Sequence, residues 1–183
     1  MAKDVAKVIS ELDSITADVH QKFGGLSSEQ LNWKPAADSW SIGQCIDHLI
    51  KTNEIYSEDF KAVANGSRSP SAWERWSPFS GFFGRFLTNI MPKDQKKVKT
   101  TGRFVPPSDI DADVVERFAK SQDEMKETVR STENADWDKT ILTSSFMGLV
   151  TYSLGDAYNI VTGHQHRHIR QADRVFLMNE FPR

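Results

Sequence analysis

Apolar side chains recur at every third or fourth position in four long stretches of this chain, and that spacing predicts four amphipathic helices. In residues 3–23, Val5, Val8, Ile9, Leu12, Ile15, Val19 and Phe23 share one stripe, which Gly24-Gly25 brings to a stop. A second helix is expected from Ser41, which with Gln44 fits a capping box; Ile42, Cys45, Ile46, Leu49, Tyr56, Phe60 and Val63 carry its stripe to Asn65-Gly66. The third opens at Ser108. Asp109, Asp111 and Asp113 then lie in its first turn, where the helix dipole favours anions, and Val115, Phe118, Met125 and Val129 continue it. The fourth starts near Ser153, with Asp156 at the capping-box position, and runs to about Met178.

Between the second and third helices lies a stretch of about 40 residues, 66–107, rich in Pro, Gly, Ser and aromatics; a connection that long calls for structure or function of its own. Within it, Gly81 to Ile90 predicts a short helix. Residues 137–152, WDKTILTSSFMGLVTY, mix β-branched side chains with Gly148 and are expected to be extended. No internal repeat or low-complexity tract is present. The pattern predicts an all-α protein, a four-helix bundle in one domain spanning 1–183, whose long crossover lets two consecutive helices run parallel.

Composition narrows the function. A chain of 183 residues buries about 70% of its unfolded surface without covalent help. The single cysteine, Cys45, cannot form an internal disulfide, and MAKDVAKVISELD lacks the apolar core of a signal peptide, so a cytoplasmic location is expected and Asn65-Gly66-Ser67 is a chance sequon. The longest apolar stretch, SGFFGRFLTNI, is far short of the roughly 20 residues of a membrane span. A net charge of −2 and a pI near 6.2 give no field toward nucleic acid. The one basic cluster, MPKDQKKVKTTGR, sets Lys93, Lys96, Lys97, Lys99 and Arg103 against Asp94 and reads as solvated surface. A GxSxG elbow, a P-loop and a dinucleotide fingerprint are all absent, which argues against serine hydrolysis, nucleotide hydrolysis and nicotinamide chemistry.

Candidate chemistry lies in GHQHRHIRQA. His164 and His168 stand one helical turn apart with Cβ atoms roughly 6 Å from each other, so two imidazoles can converge on one ion with bonds of about 2 Å. With His164 at zero on a helical wheel, Ala157, Val161, His168, Ala172 and Val175 fall within about 80°, on the apolar stripe. His166 falls about 200° away, on the solvent side between Gln165 and Arg167. Gln165 occupies the place of the general base in an HExxH protease, so that chemistry is not indicated. The alternative is a pair of hydrogen-bonded core histidines; two adjacent unsatisfied groups would each cost about 1–3 kcal/mol. On the second helix, His48 sits at the edge of the apolar arc beside Cys45, Thr52 and Asp59, a position that permits ligation without demanding it. His20 belongs to the last turn of the first helix, where positive charge is favoured.

Three stretches taken in order, LNWKPAADSWSIGQCIDHL (31–49), KVKTTGRFVPP (97–107) and SFMGLVTYSLGDAYNIVTGHQHRHIRQ (145–171), resemble the DinB superfamily, including its YfiT-like members, often described as metal-dependent hydrolases. The resemblance implies an up-down-down-up bundle with one divalent metal ion (nickel, zinc or iron) on three histidines, here His48, His164 and His168. It also implies frequent homodimers and, in some branches, S-transferase or isomerase activity with a low-molecular-weight thiol. Three imidazoles leave a coordination position open, as in a catalytic site, where water or a thiol would be activated. Asp59, about three turns beyond His48 on one face, is a candidate acid/base group or a rim carboxylate, and Gln171 is similarly placed beyond His168. Trp33, Trp40, Trp73, Trp76 and Phe79 read as packing surface, with the last three as an alternative lid. The expected partner is an unidentified small-molecule substrate, with no nucleic acid and no membrane. The competing reading is a non-catalytic, metal-stabilised bundle acting in interaction or stress response.

Overall fold

In the computed structural model the described residues are 4–91, 93 and 102–183, and they are mostly helical. Helix α1 (Val5–Phe23) begins where the Asp4 carboxylate accepts from the Lys7 N–H at 2.8 Å and ends at Gly24. Helix α2 (Ser28–Asn32) is a single capped turn, with Ser27 and Gln30 forming a reciprocal box. Helix α3 (Ile42–Ala64) has the expected Ser41–Gln44 box. The crossover folds into α4 (Ala72–Trp76), capped by Ser71 and Glu74, and α5 (Ser80–Ile90), followed by a 3-10 turn at Gly102–Phe104. After α6 (Val114–Ser131), strand β1 (Ile141–Thr143) pairs antiparallel with β2 (Thr151–Ser153), which leads into α7 (Leu154–Phe176). The basic cluster of 91–103 lies for the most part outside the described residues.

One predicted boundary is corrected. The third long helix starts at Val114, not Ser108, because residues 107–110 are engaged elsewhere. Asn32 clasps the backbone of Ile110, donating to its carbonyl and accepting from its N–H, both at 2.8 Å, while the Ile110 side chain enters the core. Gln44 in turn donates to the Pro107 carbonyl at 2.7 Å. A backbone held this way has no groups left for a helical ladder.

Helix α3 packs on α6 and α7, and α1 packs on the same two. Asn53 meets Gln122 and Ser57 meets Met125, so α3 and α6 advance together. Glu11 meets His166 and Lys22 meets Asp173, so α1 and α7 also advance together. Helices α3 and α7 run oppositely, with His48 against His168 at one end and Phe60 against Tyr158 at the other. The core has two apolar clusters, one around Phe23, Leu49, Phe118 and Ile169 and one around Leu12, Phe60, Met125 and Tyr158. Between them lies a buried polar layer made of Asn53, Ser121, Gln122 and Gln165.

Helix α5 lies on α7 and β2. Gly84 makes this possible: its backbone abuts the Asp156 carboxylate so closely that a Cβ would collide with it. Asp156 cannot swing aside freely, since it accepts from Ser153 Oγ at 2.9 Å at the start of α7. Buried Glu74 ties α4 to the hairpin by pairing with Arg68 and accepting from the N–H and Oγ1 of Thr143.

Candidate metal centre

Because α3 and α7 are antiparallel, His48 from one comes level with His164 and His168 from the other. One ring nitrogen from each of the three lies within 4.8 Å of the other two. His48 and His168 are buried and His164 is partly so. The Nε2 atoms of His48 and His164 are 3.3 Å apart, and the ring centroids of His164 and His168 are 4.5 Å apart. His48 Nδ1 is 2.9 Å from the Phe104 carbonyl oxygen. A carbonyl only accepts, so Nδ1 carries the proton and the Nε2 lone pair faces the other two rings. This backbone contact orients the imidazole as outer-shell partners orient metal-binding histidines. Trp40, just before α3, packs against His48 at 5.0 Å and stacks on His168 at 5.6 Å.

Whether these residues fit a divalent ion turns on the nitrogens that face one another. His164 Nδ1 and His168 Nδ1 are buried with no hydrogen-bond partner, and an ion on the His164 Nε2 that faces His48 would leave His164 Nδ1 as it is. The 3.3 Å between the facing Nε2 atoms is the edge of a tetrahedron whose bonds are about 2.05 Å, the length of a zinc–imidazole bond. The donor set is all imidazole, suited to zinc, nickel or iron. The three histidines fit.

The electrostatics keep the lone pairs available. Burial depresses the pKa of all three histidines; for His48 the charge of Lys51 assists, for His164 its two neighbouring histidines, and for all three the charge of Arg167. His168 is pushed down to about 3. Folded metal-free protein therefore holds neutral rings at a pH where the unfolded chain, with histidine near 6.5, already binds protons. Stability then rises with pH inside that window. Metal-free protein is expected to lose urea resistance as pH falls from about 6.5 to about 5 and to be flat above 7. Carboxylates titrate below this range, so a urea midpoint unchanged from pH 7 to pH 5 would show the rings to be ordinary solvated histidines.

Beside the cluster opens a cavity of about 510 Å³, within the range of organic-ligand sites. Phe83, Leu87 and Ile90 of α5 form one wall and Phe146 another, while Tyr56 and Tyr152 present their phenols to each other at 3.5 Å. The stripe Phe83, Leu87, Ile90 was the available signal in sequence, but its direction depends on where α5 docks. Trp73, Trp76 and Phe79 do not line this cavity; they are exposed, Trp76 at 82%. Asp59 is also outside its lining and accepts from Ser145 Oγ at 2.7 Å. Gln171 engages the ring of His168. His166 points to Glu11, 3.1 Å away, as its place on the solvent side of the wheel suggests. Burial pushes the Cys45 thiol up to about 12, so it stays protonated and inert.

Among the described residues no helix is long and apolar enough to cross a membrane. The family model of the DinB superfamily matches residues 11–172, a span that includes all three clustered histidines. No curated protein and no solved structure is matched by the chain.

Proposed function

The chain belongs to the DinB superfamily, and from that premise we propose that it is a metal-dependent enzyme, a hydrolase or thiol-dependent S-transferase, in which His48, His164 and His168 hold one divalent ion. The observation that carries this reading is the convergence of three ring nitrogens within 4.8 Å at the wall of an organic-sized cavity. The senses of the four long helices support an up-down-down-up bundle. A bound ion at such a site acts as a Lewis acid, bringing the pKa of a coordinated water or thiol toward neutrality.

The chain's own residues supply the rest. Phe104 holds the His48 ring in the tautomer that presents Nε2. Trp40 packs against two rings of the cluster, and α5 gives the cavity a hydrocarbon wall. Burial raises the pKa of Tyr56 and Tyr152, so both phenols remain protonated and serve as donors to a polar group of the substrate. A structural metal site is closed by a fourth protein ligand, whereas this cluster opens onto a cavity, which favours catalysis over a purely structural role.

Metal-stripped protein dialysed against zinc or nickel and then analysed for bound metal is expected to retain one ion per chain. No retention would remove the reading. The loaded protein is then assayed with ester and amide substrates and, separately, with thiols plus electrophiles; turnover in one set assigns the reaction class, and none in either removes the enzymatic claim.

A further inference from the structure

We propose that the cavity beside the histidines binds an amphipathic organic anion, with an aryl or alkyl body along α5 and a single acidic group on the guanidinium of Arg167. The location rests on reading this cavity as the substrate site. Metal binding is not required for it, and the test is run without metal for that reason.

Arg167 lines the cavity one residue before His168. Among the described residues no carboxylate pairs with it, whereas Lys22, Arg68, Arg117, Lys126 and Arg130 each have one. Among the described residues no aspartate or glutamate contributes to the cavity lining. An arginine left at a half-buried wall without a counter-ion pays a desolvation cost that an incoming anion relieves, and its planar fork matches a carboxylate or phosphate oxygen pair. It shares that lining with all three histidines, so an acid group held there lies beside the cluster.

The rest of the wall says what the ligand's body is. Phe83, Phe86, Leu87, Ile90 and Phe146 offer hydrocarbon, and beside the histidines the other polar side chains of the described lining are hydroxyls, from tyrosine, threonine and Ser144. Phe86 is 50% exposed and also lines the cavity, so it stands at the mouth, where an apolar body would enter. A nucleotide or sugar phosphate would bring several charges and hydroxyls to a surface that, among the described residues, offers one arginine and a hydrocarbon wall. An organic acid with one charged end fits both halves.

The experiment titrates chelator-treated protein at neutral pH with 4-phenylbutyrate and with 4-phenylbutanol, a pair of similar shape that differs in charge, and reads Kd by calorimetry. The carboxylate is expected to bind at least about tenfold more tightly, the value of one charge-assisted contact. Arg167→Gln should erase that preference, Arg167→Lys should keep part of it, and Phe86→Ser should weaken both probes by a similar factor. Equal affinities for wild type, a preference that survives Arg167→Gln, or no binding of either probe at millimolar concentration would overturn the proposal. Because the protein carries no metal here, failure of metal uptake leaves this result standing, and failure of this result leaves metal uptake standing.

Discussion

Substituting His168→Ala is expected to abolish retention of zinc or nickel, with a loss of affinity well beyond the about 10–100-fold that changes to outer-shell partners cost. The reason is in the cluster: with His168 gone, two nitrogens 3.3 Å apart remain and the third corner is open. The effect on stability has an informative sign. In metal-free wild type, His168 Nδ1 is buried and unpaired, so removing the ring also removes an unsatisfied polar group. The ring borders an existing cavity, so its removal widens open space and creates no sealed void. Against this stand the stacking on Trp40 and the contact with Gln171, which alanine lacks, so metal-free His168→Ala should lose no more than about 1–2 kcal/mol relative to metal-free wild type. Zinc at 100 times its Kd should then stabilise wild type by about 2.7 kcal/mol and leave the variant unchanged. Urea unfolding with and without zinc reads both effects, alongside equilibrium dialysis. A zinc response of equal size in the two proteins would place the ion elsewhere. A loss of several kcal/mol in the metal-free variant would make His168 an ordinary packing residue.

The legible parts of this molecule are those fixed by local rules. The starts of α3 and α7 follow from the Ser41–Gln44 box and Ser153, because a cap is a contact over three residues and sequence alone displays it. His164 and His168 were visible as a pair for the same reason, being one turn apart on one stripe. The boxes of α2 and α4, at Ser27–Gln30 and Ser71–Glu74, were equally visible in principle, but helices of a single turn carry no apolar stripe to draw attention to them. What escaped needs knowledge of distant partners. His48 joins the cluster only once the sense and register of α3 against α7 are known, and the wheel could only permit it. The start of α6 was misplaced because Asn32, far away in sequence, claims Ile110. The cavity wall depends on α5 docking on α7, which turns on the contact between Gly84 and Asp156. Gln165, beside the solvent-side His166 in sequence, is fully buried because α7 is covered by α1 and α3 on adjoining flanks.

That buried glutamine sets the register on which the three-histidine cluster depends. Gln165 Nε2 donates to Asn53 Oδ1 at 2.8 Å and to Gln122 Oε1 at 2.9 Å, and its own Oε1 accepts from Gln122 Nε2 at 3.1 Å. Asn53 lies five residues beyond His48 on α3, and Gln165 follows His164 on α7, so the layer that divides the two apolar clusters also fixes the relative height of the three imidazoles. Gln165→Leu keeps the volume but strands Asn53 Oδ1 and a Gln122 proton in the core. Two such groups cost about 2–5 kcal/mol together. Urea unfolding of the metal-free variant is expected to show that loss, and zinc affinity should fall as well although no ligand has been touched. Replacing Asn53, Gln122 and Gln165 together by leucine removes donors and acceptors alike and should recover most of the stability, as apolar replacement of a whole buried polar set commonly does. Zinc affinity should stay low in that triple variant, because an all-leucine layer slides where amides lock. A loss below about 1 kcal/mol in Gln165→Leu, or full zinc affinity in the triple variant, would show that the apolar clusters alone hold α3 and α7 in register.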